Sequence, residues 1–179
     1  ARQIPSYAPQ QVVVDAAGIV YLLNDDTDQI FRWSMPAQEH LNPIFVGQDP
    51  QHLAYSEAHS RLYVGYDSGK IRQIELSSPL PREEPFAVTP GRVTGLQTFG
   101  EFVFAMDPTE LVFATNYVFS PAGELISKTE RGDDERPLGQ PQWDASTNRM
   151  YYLTFRDWLG WTVIDPVSGI MTSTRKRSL

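Results

Sequence analysis

Carboxylates at polar turns are the side chains in this sequence best suited to chemistry. Converging carboxylates act as general acids and bases, or hold a divalent metal ion. No nucleophile-elbow, phosphate-loop or dinucleotide-binding motif accompanies them. The three histidines do not have the spacing of a zinc site. The candidate carboxylates are Asp49, Asp67, Asp107, Glu110 and Asp157.

One turn has part of the pattern of a calcium loop. Asn24, Asp26 and Asp28 alternate like the first three ligands of such a loop, and their oxygens suit this hard cation. However, Gln29 stands where the loop needs glycine, and Met35 where it needs the closing glutamate. We therefore expect a hairpin turn and no cofactor, with calcium at these three residues as the alternative.

Composition excludes several classes of protein. The 179 residues suffice for one domain with a real core, and the absence of cysteine excludes disulfides and thiolate metal sites. A net charge of −7 argues against nucleic-acid or anionic-membrane partners. The basic cluster 175–177 is interpreted as a solvated tail. No apolar run is long enough to span a membrane, so no membrane insertion is expected, and no leader peptide is evident.

The chain repeats one pattern four times. An apolar residue, usually followed by tyrosine, begins a short apolar run that ends at a polar, mostly acidic turn. The runs begin at Val20, Leu62, Phe102 and Met150, at intervals of about 40 to 48 residues. One such turn, Asp67-Ser68-Gly69, has residues that tolerate positive φ and favour a hairpin.

Each repeat divides into four short strands. Val, Ile, Thr, Tyr, Phe and Trp crowd the runs, Pro and Gly separate them, and no window keeps helical spacing. Four strands at this period are typical of a β-propeller blade. We predict one all-β domain over residues 1–179, a β-propeller of four blades with about four antiparallel strands each. The blades span roughly 10–47, 50–89, 92–138 and 140–176.

The usual blade order predicts where binding residues gather. The first strand of each blade lies nearest the axis, and the connections before it emerge on the same face as the acidic turns. We call this side the loop face. Four polar residues lie on these connections or at the starts of the first strands: Gln11, His52, Arg92 and Gln142. Of these, Gln11, His52 and Gln142 are the candidate contacts for a ligand in the axial channel.

Two segments carry a family resemblance. HSRLYVGYDSGKIRQIEL (His59–Leu76) and TNRMYYLTF (Thr147–Phe155) resemble repeats of NHL, YVTN and related bacterial propellers. This resemblance implies a periplasmic or extracellular protein. The Trp-Asp ending of WD40 repeats is absent from the third strands. IFRW (Ile30–Trp33) resembles four-bladed hemopexin-like rings, but their terminal disulfide is impossible without cysteine.

Four blades leave the closure of the ring open. The chain is a small closed ring, a half completed by a second copy or another protein, or a fragment of a larger propeller. An open half would expose apolar faces and should dimerise. In the last blade, Arg156, Asp157 and Trp158 have the residue types of interface anchors.

These patterns favour binding over catalysis. The resemblance to lactonase- and lyase-type propellers would allow a metal-dependent hydrolase or lyase. Those enzymes concentrate acid and histidine at the inner ends of their blades, whereas the inner positions here are Val13, Ala54, Gly95 and Gln142. We therefore predict a non-catalytic module that binds a protein, a small ligand or a second copy of the chain. A ligand-sensing segment of a larger receptor is a further alternative.

Overall fold

The computed structural model describes residues 9–108, 114–131, 137–154 and 158–178. Throughout these ranges the regular structure is β-strand, and no helix in them could cross a membrane. Sixteen strands form four antiparallel sheets, each built from four strands consecutive in the chain. The predicted fold class, an all-β propeller-like fold of four blades, is confirmed.

The first two sheets follow one another without overlap. The first contains β1 (Gln11–Val14), β2 (Ile19–Asn24), β3 (Gln29–Ser34) and β4 (Glu39–Phe45). The second contains β5 (Pro50–Ser56), β6 (Arg61–Tyr66), β7 (Lys70–Glu75) and β8 (Glu83–Val88). In both sheets each strand pairs with the next along the chain, so every connection within a sheet is a hairpin.

The last two sheets repeat this order. The third contains β9 (Gly95–Phe99), β10 (Phe102–Asp107), β11 (Ala114–Phe119) and β12 (Leu125–Arg131). The fourth contains β13 (Pro137–Asp144), β14 (Arg149–Thr154), β15 (Trp158–Ile164) and β16 (Met171–Ser178).

Two elements differ from the sequence prediction. Strand β13 begins at Pro137 instead of Gln142, and its pairing with β14 shifts register between Leu138 and Gln142. Strand β16 continues through residues 175–177, which the sequence suggested as a tail. There the backbone of Arg177 pairs with Leu159, because β15 provides a strand long enough to continue the ladder.

Three apolar cores hold the sheets together, each between two successive sheets. The first joins sheets one and two through side chains such as Leu23, Leu53 and Leu62. The second joins sheets two and three around Tyr63 and Phe119, and the third joins sheets three and four around residues such as Met150. The first strands β1, β5, β9 and β13 contact one another in this order, so they lie innermost, as predicted.

The three cores join the sheets in an open series from the first to the fourth. In the described part of the chain, no buried cluster joins the first sheet to the fourth. In β1 the burial alternates, and Val12 is 50% exposed on the face away from the first core. In β6 every residue from Leu62 to Tyr66 is buried, because the second sheet is covered on both sides.

The first core can be tested with a matched pair of leucines. Leu62 is fully buried in this core, whereas Leu80 is 81% exposed. Leu62→Ala should lower the free energy of unfolding by about 2–5 kcal/mol, since it removes buried methyl groups and leaves a cavity. Leu80→Ala should change it by less than about 0.5 kcal/mol. Urea unfolding followed by circular dichroism measures both, and equal losses would contradict the described packing.

Candidate functional site

The loop face between sheets two and three is built by two bonded segments. The β6–β7 turn carries Asp67, and the connection from β8 to β9 carries Arg92. The backbone amide of Val93 donates to the carbonyl of Tyr66, 3.1 Å away, which holds the connection against the turn. Asp67 and Arg92 are both exposed and therefore lie on neighbouring parts of one surface.

Gly69 allows the β8–β9 connection to pack closely against the β6–β7 turn. The amide of Thr89 donates to the Gly69 carbonyl at 2.8 Å, and the Thr89 hydroxyl donates to the same oxygen at 3.2 Å. Gly69 has φ +78°, and a Cβ added there would lie 2.4 Å from the Thr89 carbonyl oxygen. Only glycine satisfies both the backbone conformation and this contact.

Asp107, one of the candidate carboxylates of the sequence analysis, is buried. It ends β10 with no exposed surface, and its Oδ2 accepts from the amide of Gly91 at 2.7 Å. A buried carboxylate bonded to backbone N–H groups fixes the connection on which Arg92 lies. Asp107 thus supports the loop face through the Gly91 backbone, and its role as a binding residue stays a prediction.

The corresponding corner between sheets one and two joins two predicted residues. Asp49 is exposed, and its backbone amide donates to Oδ1 of Asp28 at 3.1 Å. Asn24 is buried, and its Oδ1 accepts from the amide of Thr27 at 3.2 Å, while Asp26 is exposed. Asn24 and Asp28 therefore serve the turn and the connection. Within the described ranges, no three His, Asp or Glu side chains are grouped to hold a metal ion.

Tyr66 and Glu83, which the sequence analysis missed, complete this corner. The amide of Gly47 donates to the Tyr66 hydroxyl at 3.0 Å and to Oε2 of Glu83 at 2.9 Å, and the hydroxyl donates to the other Glu83 oxygen. Burial, and then the bond to Glu83, raises the pKa of Tyr66 far above its ordinary value. The hydroxyl therefore stays protonated and acts as a structural link.

Two glutamines clamp the innermost strands. The Oε1 of Gln11 accepts from the amide of Leu53 at 2.8 Å, and its side-chain NH₂ donates to the carbonyl of the same residue. In the fourth sheet, the NH₂ of Gln140 donates to the carbonyl of Leu96. Each outer sheet is thus hydrogen-bonded to the backbone of a central sheet near the axis.

Gln140 occupies the axial position that the sequence analysis expected for Gln142. The register shift between Leu138 and Gln142 changes the alignment of β13, so that Gln142 is exposed and pairs with Tyr151. A bulge inserts residues without a motif that spacing alone reveals. The role of Gln142 as a binding residue stays a prediction.

His52 lies beside Gln140, across from its own sheet. Burial lowers the pKa of the His52 imidazole to about 4, and a hydrogen bond with the Gln140 side chain partly offsets this effect. The ring is therefore neutral at physiological pH and can donate and accept one hydrogen bond each. With Gln11, it provides neutral polar groups at the loop-face end of the inner strands.

Three residues of the last blade were predicted to be interface anchors. Arg156 and Asp157 lie outside the described residues. Trp158 is the first residue of β15. Their suggested role as interface anchors stays a prediction.

The loop face is suited to recognition because its exposed charged residues lie on segments that are held in place. Asp49, Asp67 and Arg92 are exposed on segments that hydrogen bonds to neighbouring segments hold in place. Charged side chains on pre-organised loops can select a partner with little loss of backbone entropy.

Comparison with known proteins shows similarity of fold alone. No protein-family model and no curated protein sequence matches the chain. Hydrazine synthase of Kuenenia stuttgartiensis superposes on 99% of it with a TM-score of 0.72 and 12% identity. A functionally unknown protein of Desulfotomaculum acetoxidans superposes on 88% with a TM-score of 0.72 and 15% identity. A chain of a mitotic checkpoint complex superposes on 94% with a TM-score of 0.54 and 10% identity.

The chain is shorter than these structures. It spans 53% of the hydrazine synthase chain, 50% of the Desulfotomaculum protein and 66% of the checkpoint chain. At these identities the likeness supports a propeller-like fold and assigns no family.

Substitution of Gly69 tests the locked corner. Gly69→Ala should lower the free energy of unfolding by roughly 1–3 kcal/mol, because it combines positive φ with a backbone clash. Gly100, with φ +52°, is the matched control, since the nearest atom to an added Cβ lies 3.8 Å away. Gly100→Ala should lower the free energy of unfolding by less, because its added Cβ meets no such clash. Thermal unfolding measures both, and an equal loss would show that the Thr89 contact contributes nothing.

The half-buried His52 should make stability depend on pH. Because its pKa is lower in the folded protein than the ordinary 6.5, the unfolded chain binds more protons between pH 6.5 and 4. The free energy of unfolding should therefore fall as the pH is lowered through this range, by roughly 2–3 kcal/mol. His52→Gln should flatten the profile there, whereas His40→Gln, at an exposed histidine, should leave it unchanged. Urea unfolding at each pH measures the difference, and identical profiles would contradict the lowered pKa of His52.

Proposed function

We propose that this chain is a non-catalytic binding or assembly module whose two outer sheets pack against further propeller blades. The observation that carries the proposal is the series of three cores for four sheets, in which no described cluster joins sheets one and four. Each end of the series presents a sheet face that no described core covers.

The face at the first end is apolar. Val12 and Val14 are 50% and 47% exposed, and Trp33 is half-buried. The strand alternation puts the two valines opposite Val13, which packs on the first core. Exposed apolar residues gathered on one sheet face are typical of a protein interface.

The face at the other end is aromatic. Tyr151, Trp161 and Val163 are half-buried in the fourth sheet and alternate with residues of the third core. The guanidinium of Arg149 lies 5.5 Å from the Trp161 ring centroid. Trp, Tyr and Arg are the residues most often found at the centres of interfaces.

A second copy of the chain is the simplest source of the missing blades. Two copies related by a two-fold axis would place the first sheet of each against the fourth sheet of the other. Eight blades lie within the usual range for propellers, and the two contacts would close the ring. Two structurally similar chains of about twice this length are consistent with such an arrangement.

The solution mass of the chain tests this proposal. Light scattering after gel filtration should give twice 20.3 kDa, the mass of one chain. Val12→Glu should shift the dimer toward monomer, because it would bury an unpaired charge between two sheets. Val167→Glu is the matched control, since Val167 is 87% exposed in a turn, and it should remain dimeric. A monomer at every concentration would contradict assembly through a second copy.

A further inference from the structure

The four first hairpins converge on a cleft at the side of the molecule opposite the loop face. Its volume is about 680 Å³, enough for a small organic ligand or a peptide side chain. Residues from all four sheets line it: Asp15 from the first, Tyr55 and Glu57 from the second, Thr98 and Phe99 from the third, and Trp143 from the fourth. We call it the hairpin cleft.

Three of the residues that line the hairpin cleft are aromatic: Tyr55, Phe99 and Trp143. The rings of Phe99 and Trp143 lie 4.8 Å apart at an interplanar angle of 34°, and join the third sheet to the fourth. Tyr55 is half-buried, and its carbonyl accepts from the Thr98 hydroxyl, which joins the second sheet to the third. Aromatic faces attract cations through the negative charge at the centre of each ring.

The charged residues of the hairpin cleft have one sign. Asp15 and Glu57 line it, and no Lys, Arg or His does so among the residues that the structure describes. Asp15 is held in place, since its two oxygens accept from the Ile19 amide at 2.8 Å and the Tyr21 hydroxyl at 2.9 Å. Glu57 is exposed on the turn between β5 and β6.

We infer that the hairpin cleft binds an organic cation, an alkylated ammonium or the ammonium or guanidinium group of a basic peptide side chain. Such a cation would gain both the ring faces of Tyr55 and Trp143 and the carboxylate of Glu57. A metal ion would not use the rings, and a neutral apolar ligand would not use the acids. The cleft shares Val14 with the outer face of the first sheet, but the inference rests on Tyr55, Glu57 and Trp143. The assembly proposed above rests on other side chains, such as Val12 and Trp161, so either proposal can fail without the other.

Matched ligands test the role of charge. Choline and 3,3-dimethyl-1-butanol have nearly the same shape, but only choline is charged. Choline should bind at least about fivefold more tightly, as observed by NMR shifts of the amides of Glu57, Thr98 and Gly100. Equal binding of the two, or no saturable shift at millimolar choline, would overturn the inference. N-acetyl-arginine amide provides a second cation, and whichever of the two cations binds more tightly identifies the source of the ligand.

Matched variants test the site. Glu57→Gln should weaken choline binding by about threefold, because it removes one partly screened charge. Glu124→Gln makes the same change in net charge at an exposed turn outside the cleft and should have no effect. Equal weakening by both variants would overturn the inference, since the charge would then act non-specifically. Trp143→Leu should weaken binding by about tenfold, with folding checked by the same amide spectrum.

Discussion

Each sheet of this protein has two apolar faces, and every other feature depends on how those faces are covered. Side chains alternate across a strand, so a run such as Leu62-Tyr63-Val64 supplies both sides. Leu62 and Val64 enter the first core, while Tyr63 enters the second. Stacking in series places a core on both faces of each central sheet and leaves one face at each end without a described core. The assembly proposed above would therefore follow from the same burial that stabilises the fold.

Polar contacts near the axis fix the position of each sheet relative to its neighbour. Apolar packing is non-directional, but the bonds from Gln11 to the backbone of Leu53 fix one position of the first sheet on the second. Gln140 does the same for the fourth sheet against the third and also reaches His52. These bonds are partly buried, so a shifted arrangement would leave polar groups with fewer partners. These glutamines thus select one arrangement among several that bury similar area.

The two sides of the series differ in chemistry. On the loop face, Asp107 and Gly69 use buried bonds to hold segments that expose residues of both charges. On the opposite side, the hairpin cleft combines aromatic walls with acids. The first surface suits a protein partner with mixed charge, and the second suits a cation. A partner on the loop face and the proposed cation in the hairpin cleft would therefore occupy separate surfaces.

The sequence by itself determined the strands, because strand alternation and turn chemistry are local. The period of the apolar runs was enough to predict four sheets of four strands, and Asp67-Ser68-Gly69 was enough to predict its hairpin turn. Only the tertiary structure decided what each strand faces. Val20–Leu23 and Leu62–Gly65 are similarly apolar, yet only the second run is buried throughout. Three further features likewise depend on neighbouring sheets: the bulge that brings Gln140 to the axis, the burial of Asp107 and the low pKa of His52. The residues in contact there are far apart in the sequence, so no local pattern predicts them.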